Sequence, residues 1–500
     1  MKDRPNILLI MADQMRYDTI SSLGNEEIHT PNLDFLVSRG TAFTQAYSPC
    51  PVCVPARYTI RTGCSPLTTC YFQNEEPSVP HHLKEKTEER CGDYLARTMS
   101  KAGYRTFGIG KFHTIPTEED LGYQVYQRCE EMDGYPDSYA RYLWSQPAYS
   151  HIEQPQGERT EMYYQPQMSP LPKEITSEAW VSDRVIEQID KSDKKPFFGV
   201  CSFVGPHPPF APPVPFNRMY DPDKMRGPQL GPEEIDYMDE RVRWNKHFVF
   251  ADDLSKSHIK TLRARYYGEI SYLDWCVGRI IDKLKEKNLF EETLIIFTSD
   301  HGEYLGDHHA VQKENFFEES CHIPFIVSWP NCFEGNRTSE ALVSLEDIFG
   351  LVTKATFKPE LREGIDLYNI LSSKQKEKKR DVLMGYTSQP GTIDFRMMAL
   401  SPPWKYIFHA NGGGELLFNL EDDPKEHHNL LTTNVTKAEE LREYSISQLK
   451  ANKYEQALEG FKLKTFARQE LALERCYQMN RFRGVHSFPE NPKDVIYQKT

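Results

Sequence analysis

The feature that most constrains the fold of this 500-residue chain is a series of short apolar runs that alternate with amphipathic stretches. In the longest amphipathic stretch, apolar residues recur every three or four positions, which is typical of one face of an α-helix. Strands that alternate with helices form a mostly parallel sheet with helices on both faces. We therefore predict an α/β fold with strands at Asn6–Ala12, Thr106–Gly110, Phe197–Phe203 and Thr293–Thr298 and helices at Glu88–Ala102, Glu178–Asp190 and Lys260–Lys287.

The pattern changes near residue 381, where short strand-like pieces follow one another with only turn residues between them. This predicts a small antiparallel sheet, followed by a charged helix from Lys437 to about Met479. We therefore divide the chain into a large α/β domain, residues 1–380, and a smaller C-terminal α+β subdomain, residues 381–500. The strand-like pieces are Val382–Tyr386, Met397–Leu400, Trp404–His409 and Leu416–Asn419.

The composition excludes several classes of protein. Hydrophobic residues make up 39% of the chain, too many for a disordered protein, and the net charge of −13 is opposite to what a nucleic-acid-binding protein needs. The apolar run Ile7–Ala12 is too short for a membrane span or a signal peptide. Eleven cysteines, an odd number, favour reduced thiols. We expect a cytoplasmic protein with no nucleic-acid or membrane partner, or a secreted or periplasmic one if a leader has been trimmed.

Polar residues follow four of the predicted strands. Because ligands bind at the carboxyl ends of the strands in open parallel sheets, we expect these separate stretches to converge on one pocket. The residues concerned are Asp13-Gln14, Lys111 with His113, His207, and Asp300-His301.

Two of these strand ends predict a metal site. Asp13, Gln14, Asp300 and His301 supply two carboxylates, an amide oxygen and an imidazole, a set suited to a divalent cation held mainly by oxygen. A single aspartate after a strand more often stabilises a turn, but two such pairs favour the metal. Ca²⁺, Mg²⁺ and Mn²⁺ all remain open on these residue types.

The stretch from Cys50 to Gly63 predicts an anion site. Pro55 suits the first turn of a helix, so Cys53 is expected at a helix N-terminus, where N–H groups are unsatisfied. Arg57 lies one turn further on the same face and can donate paired hydrogen bonds to an oxyanion. A buried structural thiol is one alternative. A zinc site on Cys50 and Cys53 is another, disfavoured because no second cysteine or histidine pair has matching spacing.

Together these motifs resemble the sulfatase family of the alkaline-phosphatase-like superfamily, and the resemblance runs from Pro5 to about Leu430. Cys53-Val54-Pro55-Ala56-Arg57 with Thr62-Gly63 is similar to the family signature that directs oxidation of its cysteine to formylglycine, also called 3-oxoalanine. The resemblance implies a large, mostly parallel mixed sheet between helices and a smaller C-terminal subdomain. Other blocks that match in order include Gly110–His113, Pro206–Pro209, Ser299–Glu303, Gly306–His308 with Lys313, and Trp404–Tyr406.

Roles carry over from the family to the matched positions. The resemblance implies one divalent metal ion, with Ca²⁺ favoured over Mg²⁺ or Mn²⁺, and a sulfate pocket beside it. Many members have a second aspartate in place of Gln14 and an asparagine in place of His301. The Gln/His pair also occurs in the related phosphonate monoester hydrolases, so the metal and the strict preference for sulfate stay open. The implied metal ligands are Asp13, Gln14, Asp300, His301 and an oxygen of the modified Cys53. The implied sulfate-site residues are Arg57, Lys111, His113, His207 and Lys313, with His308 and Asn74 as further substrate-binding candidates.

The resemblance implies hydrolysis of a sulfate monoester. The hydrate of formylglycine would attack sulfur, His207 would protonate the leaving oxygen, and His113 would take the proton that releases sulfate. We expect a sulfated sugar as substrate, with simple aryl sulfates also accepted. The implied partners are a small-molecule or glycan sulfate ester, a formylglycine-generating maturation enzyme and, if the chain is a homo-oligomer, a second subunit.

Two alternatives remain. One is a phosphonate monoester or phosphodiester hydrolase of the same superfamily, although that group tends to carry Tyr and Thr where this chain has Lys111 and His113. The other is a non-catalytic binding protein whose Cys53 stays a thiol. We expect residues 122–172 and 206–247, which are rich in aromatic and charged side chains, to wall the pocket, and the tail Arg481–Pro489 to reach a neighbouring subunit.

Overall fold

A mixed eight-stranded β-sheet forms the centre of this computed structural model, which describes residues 4–131, 137–152, 154–159, 163–191, 195–231, 240–252, 254–372 and 380–470. The strand order is β4-β3-β5-β1-β6-β7-β2-β8. The first five strands in this order run parallel, and β7 is antiparallel to both of its neighbours. The strands are β1 Asn6–Ala12, β2 Thr41–Tyr47, β3 Arg105–Gly110, β4 Val125–Arg128, β5 Phe197–Ser202, β6 Thr293–Ser299, β7 Phe325–Ser328 and β8 Arg337–Ser344.

Helices cover both faces of this sheet. The central strand β1 shows why, because its alternate side chains point to opposite faces and both sets are buried in apolar clusters. The helices are α1 Pro31–Ser38, α2 Cys53–Thr62, α3 Pro66–Thr69, α4 Thr87–Cys91, α5 Leu95–Lys101, α6 Ser138–Ser145, α7 Ser177–Asp190, α8 Glu240–Phe248, α9 Lys256–Glu286, α10 Glu318–Cys321, α11 Asp347–Ala355, α12 Leu367–Ser372 and α13 Val435–Ala451.

A second, antiparallel sheet of four strands follows in the C-terminal part, in the order β12-β11-β10-β9. Helix α13 packs against it over a separate apolar cluster. A two-stranded hairpin comes after α13. These strands are β9 Leu383–Thr387, β10 Arg396–Ser401, β11 Trp404–His409, β12 Gly414–Asn419, β13 Leu458–Glu459 and β14 Lys462–Leu463.

The α/β class, the large mixed sheet and the smaller antiparallel sheet are confirmed, and the predicted strands lie within two residues of the observed ones. Two helix predictions are wrong. Residues 88–102 do not form one helix, because Gly92 adopts a left-handed conformation, with φ +82°, and separates α4 from α5. The C-terminal helix ends at Ala451 instead of continuing to Met479, because Lys453 takes a φ of 60° and the chain turns into the hairpin. The tail Arg481–Pro489 lies outside the described residues.

All ten cysteines among the described residues are free thiols. Within the same residues, no helix combines the length and the apolar character that crossing a bilayer requires.

Candidate active site

The carboxyl ends of four parallel strands meet at one edge of the large sheet. Strand β1 lies between β5 and β6, and its last residue, Ala12, is paired with Ser299 of β6. Strand β3 joins on the other side of β5, where Gly110 is paired with Ser202. Gly110 has a φ of +112°, and a Cβ there would lie 1.7 Å from the carbonyl oxygen of Ser202, so only glycine fits. The predicted convergence of the strand ends is what the structure shows.

Cys53 is the first residue of α2, as its position before Pro55 predicts. All residues of this helix are buried, and Cys53 itself is only 1% exposed. The N–H of Val54, in the first turn, donates to Asn74 Oδ1 at 2.9 Å. Asn74 thus stabilises the start of the helix that carries Cys53, and its contact with a leaving group stays a prediction.

A buried group of ligand-type side chains surrounds Cys53. Its sulfur and one ligand atom each of Asp13, Asp300 and His301 all lie within 4.8 Å of one another. The Sγ atom is 3.1 Å from His301 Nε2 and 3.9 Å from Asp13 Oδ1. His301 Nδ1 donates to the carbonyl of Gly302 at 3.0 Å, which turns its Nε2 toward the group. Two carboxylates and an imidazole oriented in this way fit a divalent cation.

Arg57 ties the two carboxylates together. Its guanidinium donates to Asp13 Oδ2 at 2.8 Å and to Asp300 Oδ2 at 3.0 Å. It also donates to the carbonyl of Lys111 at 2.5 Å and to Ser202 Oγ at 2.9 Å. Four of its five N–H groups are therefore used within the site, and Arg57 acts as a rigid clamp behind the metal-type ligands.

Gln14 occupies a strained position next to Asp13, with a φ of 66°. Its backbone N–H donates to Asp300 Oδ1 at 3.1 Å, and its side-chain amide donates to Glu303 Oε2. The amide oxygen of Gln14 accepts a hydrogen bond from Lys313 Nζ at 2.6 Å. The structure thus brings Gln14 to the group and joins it to Lys313, a residue of the predicted sulfate pocket.

Basic side chains line the space in front of Cys53. Lys111 Nζ is 4.0 Å from Cys53 Sγ and 2.6 Å from Asp13 Oδ2. A nitrogen of His113 lies within 4.8 Å of Cys53 Sγ and of a Glu131 oxygen. His207 Nδ1 donates to the carbonyl of Pro208 at 2.8 Å, and its Nε2 is 3.5 Å from Glu131 Oε1. These positive and hydrogen-bonding groups form a pocket suited to an oxyanion.

The charges of the site shift the pKa values of its members. Burial and the negative charge of Asp13 raise the pKa of Cys53, but Lys111, Lys313 and His301 together outweigh them and hold that pKa well below its ordinary value. Burial and the charge of Asp13 raise the pKa of Asp300 to about 6. A cysteine with a lowered pKa beside a carboxylate with a raised pKa is typical of a functional centre.

His207 differs from the other basic groups. Burial lowers the pKa of His207 well below its ordinary value, even though the nearby Glu131 acts in the opposite direction. At neutral pH the imidazole is therefore neutral, with its proton on Nδ1 and a free lone pair on Nε2.

His308 is not brought to the pocket. It is buried in a different group, where its Nε2 lies 3.3 Å from Glu319 Oε2 and near Glu426. Among the described residues, the two groups that contain Cys53 do not include it. The left-handed turn at His308, with a φ of 51°, directs its side chain toward Glu319, and its contact with substrate stays a prediction.

The sequence reasoning missed two acidic members of the site. Glu303 accepts hydrogen bonds from Gln14 and from Tyr164, the latter at 2.6 Å. Glu131 contacts Lys111, and Arg159 donates to its other oxygen at 2.8 Å. Glu131 follows strand β4 closely, so the rule of strand ends would have found it if β4 had been recognised.

The chain is similar to known proteins in sequence and in fold. The sequence model of the Sulfatase family matches residues 5–356. The arylsulfatase of Clostridium perfringens is 29% identical over 465 residues, which are 86% of this chain and 91% of that protein. The choline-sulfatase of Rhizobium meliloti is 28% identical over 458 residues, 85% of this chain and 82% of its own. The solved phosphonate monoester hydrolase of Agrobacterium radiobacter has a TM-score of 0.73 at 25% identity, covering 91% of this chain and 96% of that one. With its mixed sheet and these matches, the chain belongs to the sulfatase family, has the alkaline-phosphatase-like fold and is a sulfuric ester hydrolase.

Proposed function

We propose that this protein hydrolyses sulfate monoesters at the Cys53 group, with Cys53 converted to formylglycine and one divalent ion bound beside it. The observation that carries the proposal is the burial of Cys53, at the start of α2, between two carboxylates and a basic pocket. A thiol buried for structural reasons would not require two ionisable carboxylates and a lysine around it.

The ion would be held by Asp13, Asp300, His301, the Gln14 amide oxygen and an oxygen of the modified Cys53. We favour Ca²⁺ because most of these donors are oxygens, with Mg²⁺ and Mn²⁺ as the other candidates. The hydrated aldehyde of formylglycine supplies an oxygen nucleophile and a second hydroxyl for release of sulfate, while the ion supplies the positive charge that favours its ionisation.

Lys111 and Lys313 would stabilise the negative charge that spreads over the sulfuryl oxygens in the transition state. Both ammonium groups are buried, and water screens them little. Arg57 has a different task in our proposal, because nearly all of its donors already hold Asp13, Asp300 and neighbouring groups. It would position the metal ligands instead of touching the sulfate.

His207 would protonate the leaving oxygen. In the substrate-free site its pKa lies well below the ordinary value because of burial. An anionic ester placed near Nε2 would raise that pKa, so the imidazole would gain a proton when substrate binds. His113, which lies within 4.8 Å of Cys53 Sγ and a Glu131 oxygen, would accept the proton that accompanies release of sulfate.

We propose a sulfated carbohydrate as the natural substrate, with aryl sulfates as simple substitutes. Helix α8 lies against the Lys313 segment, because Asn245 Nδ2 donates to the Lys313 carbonyl at 3.5 Å. On the same helix, the Arg241 guanidinium lies 4.4 Å from the Trp244 ring centroid. An aromatic face combined with a cation suits a sugar ring that carries an acidic group.

The test is to produce the protein with and without a formylglycine-generating enzyme and to examine the peptide that spans Cys53 by mass spectrometry. We expect conversion, seen as exchange of H₂S for O, and hydrolysis of nitrophenyl sulfate that increases with the converted fraction. Cys53→Ala should abolish both, whereas Cys50→Ala, at a buried cysteine three positions earlier, should preserve both. A full-mass, alkylatable thiol at Cys53 after co-expression would favour the non-catalytic binding protein.

A second candidate is hydrolysis of phosphonate monoesters or phosphodiesters. It is favoured by the likeness to the Agrobacterium radiobacter enzyme and by the Gln14–His301 pair. Parallel rates on nitrophenyl sulfate and a phenylphosphonate ester decide between the two. A much higher rate on the phosphonate ester would make phosphonate hydrolysis the preferred function and sulfate ester hydrolysis the second candidate.

A further inference from the structure

A carboxylate stands inside the basic pocket in front of Cys53. Glu131 is only 8% exposed, and its Oε1 accepts a hydrogen bond from Lys111 Nζ. The same oxygen is 3.5 Å from His207 Nε2. One of the two Glu131 oxygens, together with Cys53 Sγ and a nitrogen of His113, forms a set within 4.8 Å.

Our proposed function assigns Lys111 to the sulfuryl oxygens, His207 to the leaving oxygen and His113 to the proton released with sulfate. Glu131 therefore contacts groups that the bound ester would contact. A carboxylate oxygen and a sulfuryl oxygen both accept charge-assisted hydrogen bonds from an ammonium group such as that of Lys111. Two unit negative charges about 5 Å apart repel each other at an effective dielectric constant of about 20. This repulsion weakens binding of the second anion by a factor on the order of 10² in its dissociation constant. Glu131 in this position and a bound sulfate group therefore exclude each other.

Arg159 provides a second partner for the same carboxylate. Its guanidinium donates to the other oxygen, Glu131 Oε2, at 2.8 Å, and it is itself buried. If Glu131 moved away from Lys111, it could keep this ion pair and would not become an isolated buried charge.

We propose that Glu131 occupies the sulfate position in the substrate-free enzyme and is displaced toward Arg159 when an anionic substrate binds. The inference rests on the proposed function, since it takes the pocket in front of Cys53 as the sulfate site. Glu131 is then an internal competitor that weakens binding of every anion and makes sulfate, the product, easier to release.

The test measures binding of inorganic sulfate to the full-length, metal-loaded protein by isothermal titration calorimetry. Glu131→Gln keeps the shape of the side chain and removes its charge, and we expect the Kd for sulfate to fall at least tenfold. The matched control is Glu118→Gln, which removes an exposed carboxylate from the loop between β3 and β4 and should leave the Kd unchanged. A Kd in Glu131→Gln that is unchanged or higher would overturn the proposal, since it would mean that Glu131 only supports Lys111.

Arg159→Gln gives a second readout, taken first in the wild-type background and then in the Glu131→Gln background. We expect it to raise the Kd for sulfate several-fold, because the displaced carboxylate loses its partner. In a Glu131→Gln background the same change should have no effect, and an equal effect in both backgrounds would refute displacement toward Arg159.

Steady-state kinetics distinguish an internal competitor from a carboxylate with a purely structural role. In Glu131→Gln we expect KM for nitrophenyl sulfate to fall together with the Kd for sulfate, without a rise in kcat. A purely structural role would lower kcat and leave KM unchanged or higher. Because sulfate binding requires no catalysis, a protein that binds sulfate but hydrolyses no sulfate ester would disprove the proposed function and still report on Glu131.

Discussion

Replacing Arg57 with methionine tests how the two site carboxylates are held. In the wild-type protein Arg57 contacts both Asp13 and Asp300, which are 0% exposed. After the change, Asp13 keeps Lys111 at 2.6 Å. Among the described residues, Asp300 keeps two backbone N–H donors on Oδ1, those of Gln14 and His301, and the His301 imidazole, whose Nε2 is 3.7 Å away. The uncompensated charge therefore falls mainly on Asp300.

The expected cost follows from that asymmetry. Removing one partner of a buried ion pair costs about 3–5 kcal/mol, so we expect Arg57→Met to lower the free energy of unfolding of the metal-free protein by about 4 kcal/mol at pH 8. The pKa of Asp300 is already raised to about 6, and loss of Arg57 raises it further. At pH 5 Asp300 is therefore protonated, and Arg57→Met lowers the free energy of unfolding by less than at pH 8.

Urea titrations in EDTA measure the free energy of unfolding of wild type and Arg57→Met at pH 5 and at pH 8. Arg61→Met is the matched control, because Arg61 is a buried arginine on the same helix that donates to the Phe112 carbonyl at 2.6 Å and stacks on Tyr58. We expect this control to lose about 1–2 kcal/mol, equally at both pH values. A loss in Arg57→Met that is no larger than the control, or that does not depend on pH, would refute the reasoning.

Three further predictions concern other parts of the chain. Gly110→Ala should lower stability by about 3 kcal/mol more than Gly24→Ala, because both have similar positive φ values but only the Gly110 Cβ would collide, with the Ser202 carbonyl; equal thermal midpoints would contradict this. Burial raises the pKa of Asp274 from 3.8 to about 6. As the pH rises from 4 to 6, this group should therefore lower the free energy of unfolding of the wild-type protein by up to about 3 kcal/mol. Asp274→Asn lacks this group, so its stability relative to wild type should rise over the same pH range. A flat difference between the two proteins would show that Asp274 does not titrate there. Lys111→Met should lower kcat/KM for nitrophenyl sulfate about 10²–10³-fold in steady-state assays, and a loss below tenfold would remove Lys111 from the transition state.

The central strands and the Cys53 group could be predicted because each leaves a strong local signal. Strand β1 is buried on both faces, so it reads as a continuous apolar run. Asp13 and Asp300 follow such runs directly, and neighbouring parallel strands must end at the same edge of the sheet. The start of α2 at Cys53 follows from the restricted conformation of Pro55.

The rest of the site could not be predicted because its signals are weak or depend on tertiary contacts. Strand β4 is half-buried throughout and mostly polar, so it does not look like a core strand and Glu131 was not placed at its end. Gly92 breaks an otherwise continuous helical pattern, and one glycine alone does not distinguish a break from a tolerated helix position. The family match placed His308 beside the substrate, but the direction of its side chain depends on a left-handed turn that no residue type in the motif requires.

The charge balance of the site explains why this fold can keep a metal-type ligand group buried and still bind an anion. Arg57 and Lys111 provide two positive charges that pair with Asp13 and Asp300, so the four side chains are neutral together. A divalent ion at the same carboxylates would leave a surplus of positive charge in a region shielded from water, which is unfavourable unless an anion accompanies it. In the substrate-free protein Glu131 supplies one such negative charge. A sulfate ester that displaces Glu131 keeps the balance, whereas a neutral ligand would leave the surplus uncompensated. The pocket therefore selects for negative charge through the sum of its buried ion pairs, and no single residue accounts for that preference.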